Sequence, residues 1–240
     1  MPLTEAIVSR SAPAGERPFL PAMGFGAPAA TYDVFTRVLG ARAIHWQLVA
    51  QAGVAPGQTV LELGTGTGEV LLLAARVAPG ATFVGLDPDP AVLDLARRKA
   101  ARHGVDLRLE RGYADQLPYA DGSVDRVLSS FMFHHLPPEE QRAMLAEARR
   151  VLAPGGSLHL VDPDGTDPGI LGWFAGHAYG EGHGHGHGPG HGHGSAHLIG
   201  ADDVATMLSD AGFTDVDAVA RRTRTFGRVV FHRAVCPAGT

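Results

Sequence analysis

Residues 59–70 read TVLELGTGTGEV, a short apolar run with an acid at Glu62, then glycines at 64, 66 and 68 alternating with threonines. An apolar run that passes straight into glycines predicts a strand feeding a tight turn into a helix. Glycine turns the backbone sharply and leaves no side chain between the main chain and a ligand. A flat, nucleotide-like ligand is expected on this turn, and the spacing narrows its kind. The dinucleotide fingerprint GxGxxG needs glycine at position 69, which is Glu69, and the phosphate loop GxxxxGK[ST] fails where Glu69 and Val70 follow Gly68. No cation flanks the turn, and Glu62 would repel a phosphate while attracting an ammonium or binding a hydroxyl. The ligand is therefore expected to be cationic or zwitterionic.

A second apolar run, Thr82 to Leu86, ends in Asp87 and is followed by Pro88, Asp89 and Pro90. An acid at the end of a second strand, roughly twenty residues past a glycine turn, is the group that grips ribose hydroxyls in Rossmann-like sites. Four blocks occur in order: LELGTGTGEV, GLDPDP, GYADQLPYADGSVDRVLSSFMFHHL and EARRVLAPGGSLHLVD. Through them the chain from Tyr32 onward resembles the class I S-adenosylmethionine-dependent methyltransferases, above all the branch with the ubiquinone and menaquinone C-methyltransferases and related small-molecule enzymes.

That resemblance implies a set of site residues. Glu62 and the turn Gly64, Thr65, Gly66 and Gly68 would hold the methionyl side of S-adenosylmethionine. Asp87 would take both ribose hydroxyls and Pro88 would lie against the adenine. Asp115, preceded by Ala114, would accept from the adenine amino group, and Ser130 or Phe131 would line the pocket at the end of the fourth strand. Tyr32 would close over the methionyl moiety, a core aromatic being the competing reading. Asp89 with Pro90 reads as a helix cap and first helical position instead of a ligand.

Composition points the same way. A chain of 240 residues with 45% apolar content and a net charge of −5 suits a single globular domain with a full core, here residues 31–240, preceded by an irregular Pro-, Gly- and Ala-rich arm over residues 1–30. Without a basic excess, nucleic acid is not an expected partner. A lone Cys236 excludes an internal disulfide and suits a reducing compartment. It also departs from the several cysteines of the arsenite-methylating relatives. No run reaches membrane-spanning length and Met1 to Arg17 lacks a secretory apolar stretch, so a cytoplasmic protein with no membrane partner is expected.

Periodicity and punctuation predict a helix over Tyr32 to Gln51, broken near Gly40. Strands are predicted at Thr59–Leu63, Thr82–Leu86, Leu107–Glu110, Val124–Ser129 and Ser157–Val161, with helices at Glu69–Val77, Ala91–His103 and Glu139–Leu152 between them. This alternation means an α/β fold with a parallel, Rossmann-like sheet covered by helices on both faces. A helix at Ala201–Ala211 is then followed by two runs, Asp215–Ala220 and Arg228–Val235, that form an antiparallel hairpin. Seven mostly parallel strands in the order 3-2-1-4-5-7-6 are what the resemblance adds.

Between the fifth strand and the last helix, residues 177–197 read HAYGEGHGHGHGPGHGHGSAH and hold seven of the thirteen histidines. Imidazoles two residues apart share one side of an extended chain, so His183, His185, His187, His191 and His193 are candidate ligands for Ni, Zn, Cu or Co. A polar Gly-His loop with only opportunistic metal affinity is the leading reading, ahead of metal storage or sensing and of a metal-bearing lid. Methyl transfer itself needs alignment, exclusion of water and, for a protonated acceptor, a base. His135 is the first candidate base and His134 the second, a packing or cofactor-wall role being the main alternative. His45, Trp46, Trp173 and Phe174 are candidates for the acceptor wall or the core. The sequence thus predicts a methyltransferase acting on a small-molecule acceptor, with a His-rich metal-binding or metal-sensing protein on the same scaffold as the alternative.

Overall fold

The computed structural model describes residues 40–167, 199–223 and 227–238. The N-terminal arm, Tyr32, Trp173, Phe174 and the histidine tract all lie outside these residues.

Helix α1 (Ala41–Ala52) starts directly after Gly40, whose φ of 86° is the left-handed turn that a β-carbon would strain, so the break predicted near Gly40 is where the described helix begins. There follow β1 (Thr59–Leu63), α2 (Glu69–Val77), β2 (Thr82–Asp87), α3 (Pro90–His103), β3 (Arg108–Arg111) and β4 (Val124–Ser130). After a short 3-10 turn at Phe133–His135 come α4 (Pro138–Val151), β5 (Leu152–Pro163), α5 (Ala201–Asp210), β6 (Thr214–Thr223) and β7 (Gly227–Val235). The seven strands form one sheet in the order β3-β2-β1-β4-β5-β7-β6. β7 runs antiparallel to both β5 and β6, and the pairs from β3 through β5 are parallel.

The period of two along each strand divides the core between the sheet's faces. Val60 and Phe83 pack with Ile44, Leu48 and Leu71 of α1 and α2 on one face. Leu61, Leu63, Val84 and Leu86 join Met144, Leu145, Val204 and Leu208 of α4 and α5 on the other. Buried on both sides, β1 reads as a nearly continuous apolar run, as a central parallel strand must. Among the described residues, no helix is long and apolar enough to cross a membrane.

The largest difference from the expected boundaries lies at the start of the fifth strand. The fifth strand begins at Leu152, not Ser157, although Pro154, Gly155 and Gly156 read as a turn. Leu152 pairs with Val124, the register shifts before Arg126 meets Ser157, and Gly155 N–H and Cys236 N–H donate to Cys236 O and Gly156 O at 2.9 and 2.8 Å. Gly155 still turns, with a φ of 79°, but the stretch is held in the sheet because Cys236, directly after β7, supplies partners that no local pattern announces.

Candidate functional site

The carboxyl ends of β1, β2, β4 and β5 lie side by side at one edge of the sheet, where open α/β folds bind ligands. Gly64, Gly66 and Gly68 have φ of 69°, 51° and 78°, so all three occupy the left-handed region. The turn they form is tied to the next strand. Gly64 and Thr65 donate backbone N–H groups to Leu86 O at 2.9 and 3.1 Å. Gly66 N–H donates to Asp87 Oδ2 at 2.8 Å. Asp87 Oδ1 accepts from Asp89 N–H at 2.9 Å, and Asp89 caps α3 through Ala91 N–H at 2.8 Å, as its capping role predicts. The two motifs read separately in sequence are thus one hydrogen-bonded unit.

Both acids of that unit are buried, Glu62 at 2% and Asp87 at 9% exposure. Burial pushes the Glu62 carboxyl up to about 8, against the lowering effect of the bond it accepts from Thr65 Oγ1 at 2.7 Å. Burial likewise pushes Asp87 up to about 6, opposed by the Asp89 and Gly66 N–H groups. A buried carboxyl held partly neutral gains most from a cationic or hydroxylic partner, which is what a methionyl ammonium and a ribose offer. At Gly66 an added β-carbon meets nothing within 4 Å, whereas at Gly64 it would stand 2.3 Å from Met132 Cγ. The turn is therefore open at Gly66 and closed at Gly64 by the residue that follows β4. The donor set and the open backbone fit S-adenosylmethionine.

Pro88 is partly buried beside Asp87, and its carbonyl accepts from Arg111 Nε at 3.1 Å. Ala114 and Asp115, both half-buried, lie on the loop after β3. α4 pins that loop: Leu117 N–H donates to Glu147 Oε2 at 2.7 Å, and Arg150 donates to Leu117 O, Tyr119 O and Asp121. Ser130 ends β4, and its buried hydroxyl has no hydrogen-bond partner among the described residues. Phe131 takes a φ of 53°, unusual for an aromatic residue, and its ring meets His45 of α1 edge-on at 6.5 Å. Trp46 is 37% exposed, so α1 turns it away from this edge's core.

His134 and His135 follow on the 3-10 turn, ring centroids 4.1 Å apart. His135 is pushed down to about 3 by burial and by its neighbour. His134 is bound twice by Asp162 of β5, through its backbone N–H at 2.8 Å and through Nδ1 at 2.8 Å. The structure thus sets the two histidines apart: Asp162 bonds His134, and the His135 ring lies tilted against it. Asp162, Asp164 and His232 were not singled out from sequence. Asp162 had a signal, because it closes the fifth strand with an acid just as Glu62 and Asp87 mark the ends of the first and second. Among the described residues no group of three or more His, Cys, Asp or Glu side chains suits a metal ion, and the tract candidates His183, His185, His187, His191 and His193 lie outside those residues.

Residues 60–156 match a methyltransferase domain family. The chain is 38% identical over 141 residues to demethylmenaquinone methyltransferase of Thermus thermophilus, covering 58% of this chain and 63% of that protein. It is 37% identical over 151 residues to the demethylmenaquinone methyltransferase of Deinococcus radiodurans, covering 62% of each. The matched region thus spans less than two thirds of these relatives' length. A crystal structure of a SAM-dependent methyltransferase from Aquifex aeolicus shares the fold with a TM-score of 0.60 at 19% identity, covering 85% of this chain and 97% of that one.

Proposed function

We propose that this chain, which carries a class I S-adenosylmethionine-dependent methyltransferase domain and resembles the menaquinone methyltransferases, transfers a methyl group to a small-molecule acceptor. The observation that carries this reading is the bond from Gly66 N–H to Asp87, which joins the glycine turn to the second-strand acid, with the buried Glu62 one strand over. When bound, S-adenosylmethionine supplies an activated sulfonium methyl. The chain's own work is then to hold and orient. Glu62 and Thr65 face the methionyl side, Asp87 the ribose, Pro88 with Ala114 and Asp115 the adenine, and Ser130 and Phe131 the wall between donor and acceptor.

The relatives' names make a demethylated naphthohydroquinone the first acceptor to try. A net charge of −5 supports an acceptor other than nucleic acid, and a cytoplasmic setting belongs to the same reading. The test is calorimetric titration of the full chain with S-adenosylmethionine. Wild type binds, and Asp87→Ala loses at least about a hundredfold in affinity, as expected where a buried carboxylate held two ligand hydroxyls. Equal binding by the variant sinks the reading.

A further inference from the structure

No cation flanks the glycine turn in sequence, but the fold brings one to it. Lys99, in the third turn of α3, reaches the residues on either side of Gly68: Nζ donates to Thr67 Oγ1 at 3.1 Å and pairs with Glu69. The lysine side chain is 11% exposed and Thr67 is buried, so the contact is made largely out of water. One turn earlier on the same face of α3, the buried Ala96 places its Cβ 3.2 Å from where a β-carbon on Gly68 would stand. At its N-terminus α3 is capped by Asp89, whose N–H donates to Asp87, and Asp87 in turn accepts from Gly66 N–H. Residues 66–69 are thus strapped to α3 at three levels along the helix.

Gly68 precedes α2 without a side chain, so the entry into that helix has no side-chain cap of its own. Lys99 supplies the hold from outside. Its pairing with Glu69 balances the two charges, so it does not repel a cationic ligand as a bare lysine would. Its charge also reaches Glu62. Burial, and after it the Asp87 carboxylate of β2, push that carboxyl up to about 8, while the Thr65 hydroxyl, the Leu71 N–H of α2 and the Lys99 ammonium of α3 pull it down. Without Lys99, Glu62 would keep only the Thr65 and Leu71 bonds against burial and Asp87.

We infer that Lys99 is a positioning residue of the methyl-donor site: holding Thr67 and Glu69, it fixes the turn against α3 and from there presents Glu62 to the donor's ammonium. This rests on the methyltransferase reading above. Lys99 works through these residues and has no bond to make or break in the transfer itself. A cation drawn from the next helix, balanced by the residue that starts α2, lets a buried carboxyl stand beside a turn that must stay open for a cationic ligand.

Two readouts on the full chain test this: a carbon-13 NMR titration of the Glu62 carboxyl without donor, its resonance assigned with Glu62→Gln, and calorimetric titration with S-adenosylmethionine across neutral pH. Wild type is compared with Lys99→Met, which removes both charge and N–H groups, and with Lys99→Gln, which keeps an N–H for Thr67 and so has the better prospect of folding. The Glu62 midpoint, about 8 in wild type, should rise in both variants by roughly half a unit. Donor affinity near neutral pH should fall roughly three- to thirtyfold, with binding tightening only at correspondingly higher pH. A salt bridge that merely braces the fold would lower the melting temperature and leave the Glu62 midpoint in place. An unmoved midpoint in a folded variant, or unchanged donor affinity, overturns the inference alone. Loss of the fold in both variants overturns it as well, by making Lys99 a structural residue. Failure of wild type to bind the donor overturns the methyltransferase reading and this inference with it, whatever the Glu62 midpoint does.

Discussion

The two halves of the sheet's carboxyl edge are built by different means. On the β1–β2 side the groups are joined by bonds that each use a backbone N–H of the glycine turn, Gly66 N–H to the Asp87 carboxylate and Gly64 N–H to Leu86 O. On the β5–β7 side the partners stand farther apart in sequence and pair side chain to side chain, the His134 ring with Asp162 and the Arg228 guanidinium with Asp164. A local arrangement writes itself into consecutive residues, because each glycine and each strand-end acid must stand at a fixed offset. An arrangement assembled by strand pairing leaves only scattered polar residues in the sequence.

The sharpest way to break the comparison is at a point where the β1 turn meets the chain that follows β4. Gly64 combines a φ of 69° with a β-carbon position 2.3 Å from Met132 Cγ. Gly64→Ala therefore has to strain the backbone and also displace Met132, the residue that leads into the His134 turn. A loss of about 3–5 kcal/mol in urea unfolding is expected, adding backbone strain to overpacking, with methyl-donor binding lost as well. Stability within about 1 kcal/mol of wild type, the usual range for a surface change, would show that the turn and the β4 end are mechanically independent.

Glu62→Gln sharpens the contrast from the donor side. A carboxyl raised from 4.5 to about 8 in the folded chain binds a proton that the unfolded chain releases. Stability is therefore greatest below about pH 4.5 and declines as pH rises towards 8. The amide removes that decline, so Glu62→Gln should unfold later than wild type at pH 8, by up to a few kcal/mol, with the gap closing as pH falls to about 4. On the proposed donor site the same substitution should weaken S-adenosylmethionine binding, because a methionyl ammonium there would lose its carboxylate. In wild type, binding should tighten from pH 6 to 8 and release a proton, detectable as a dependence of calorimetric heat on the buffer's ionisation enthalpy. A stabilising, binding-deficient variant is the expected signature of a group kept for function at a cost in folding.

What sequence made legible follows the same division. The glycine turn, Asp87, the Asp89 cap and all seven strands are readable because period, punctuation and strand-end acids are local signals, and α2 and β1 fall at their predicted bounds. The start of β5 is not readable, because its Pro-Gly-Gly stretch is held in the sheet by bonds to Cys236. Neither is the contrast between His134 and His135: adjacent in sequence and alike in chemistry, they part only in the fold, where Asp162, twenty-eight residues away, bonds His134.

The smallest effect should come from the outer part of the β5–β7 side. Asp164 has a fully buried side chain that accepts from Thr166 N–H and Oγ1 at 2.9 and 2.7 Å and pairs with Arg228, whose own side chain is 45% exposed. Solvent around the guanidinium weakens the pair, but removing it leaves a buried carboxylate with only the Thr166 bonds. Arg228→Met should therefore cost about 1–2 kcal/mol in urea unfolding at neutral pH, less than removing a partner from a fully buried pair. Donor affinity should not change, because the pair anchors the turn after β5 to β7 and touches neither Glu62 nor Asp87. If donor affinity fell together with stability, the two halves of the edge would be coupled through the sheet, and the division into a main-chain-built side and a side-chain-built side would have to be abandoned.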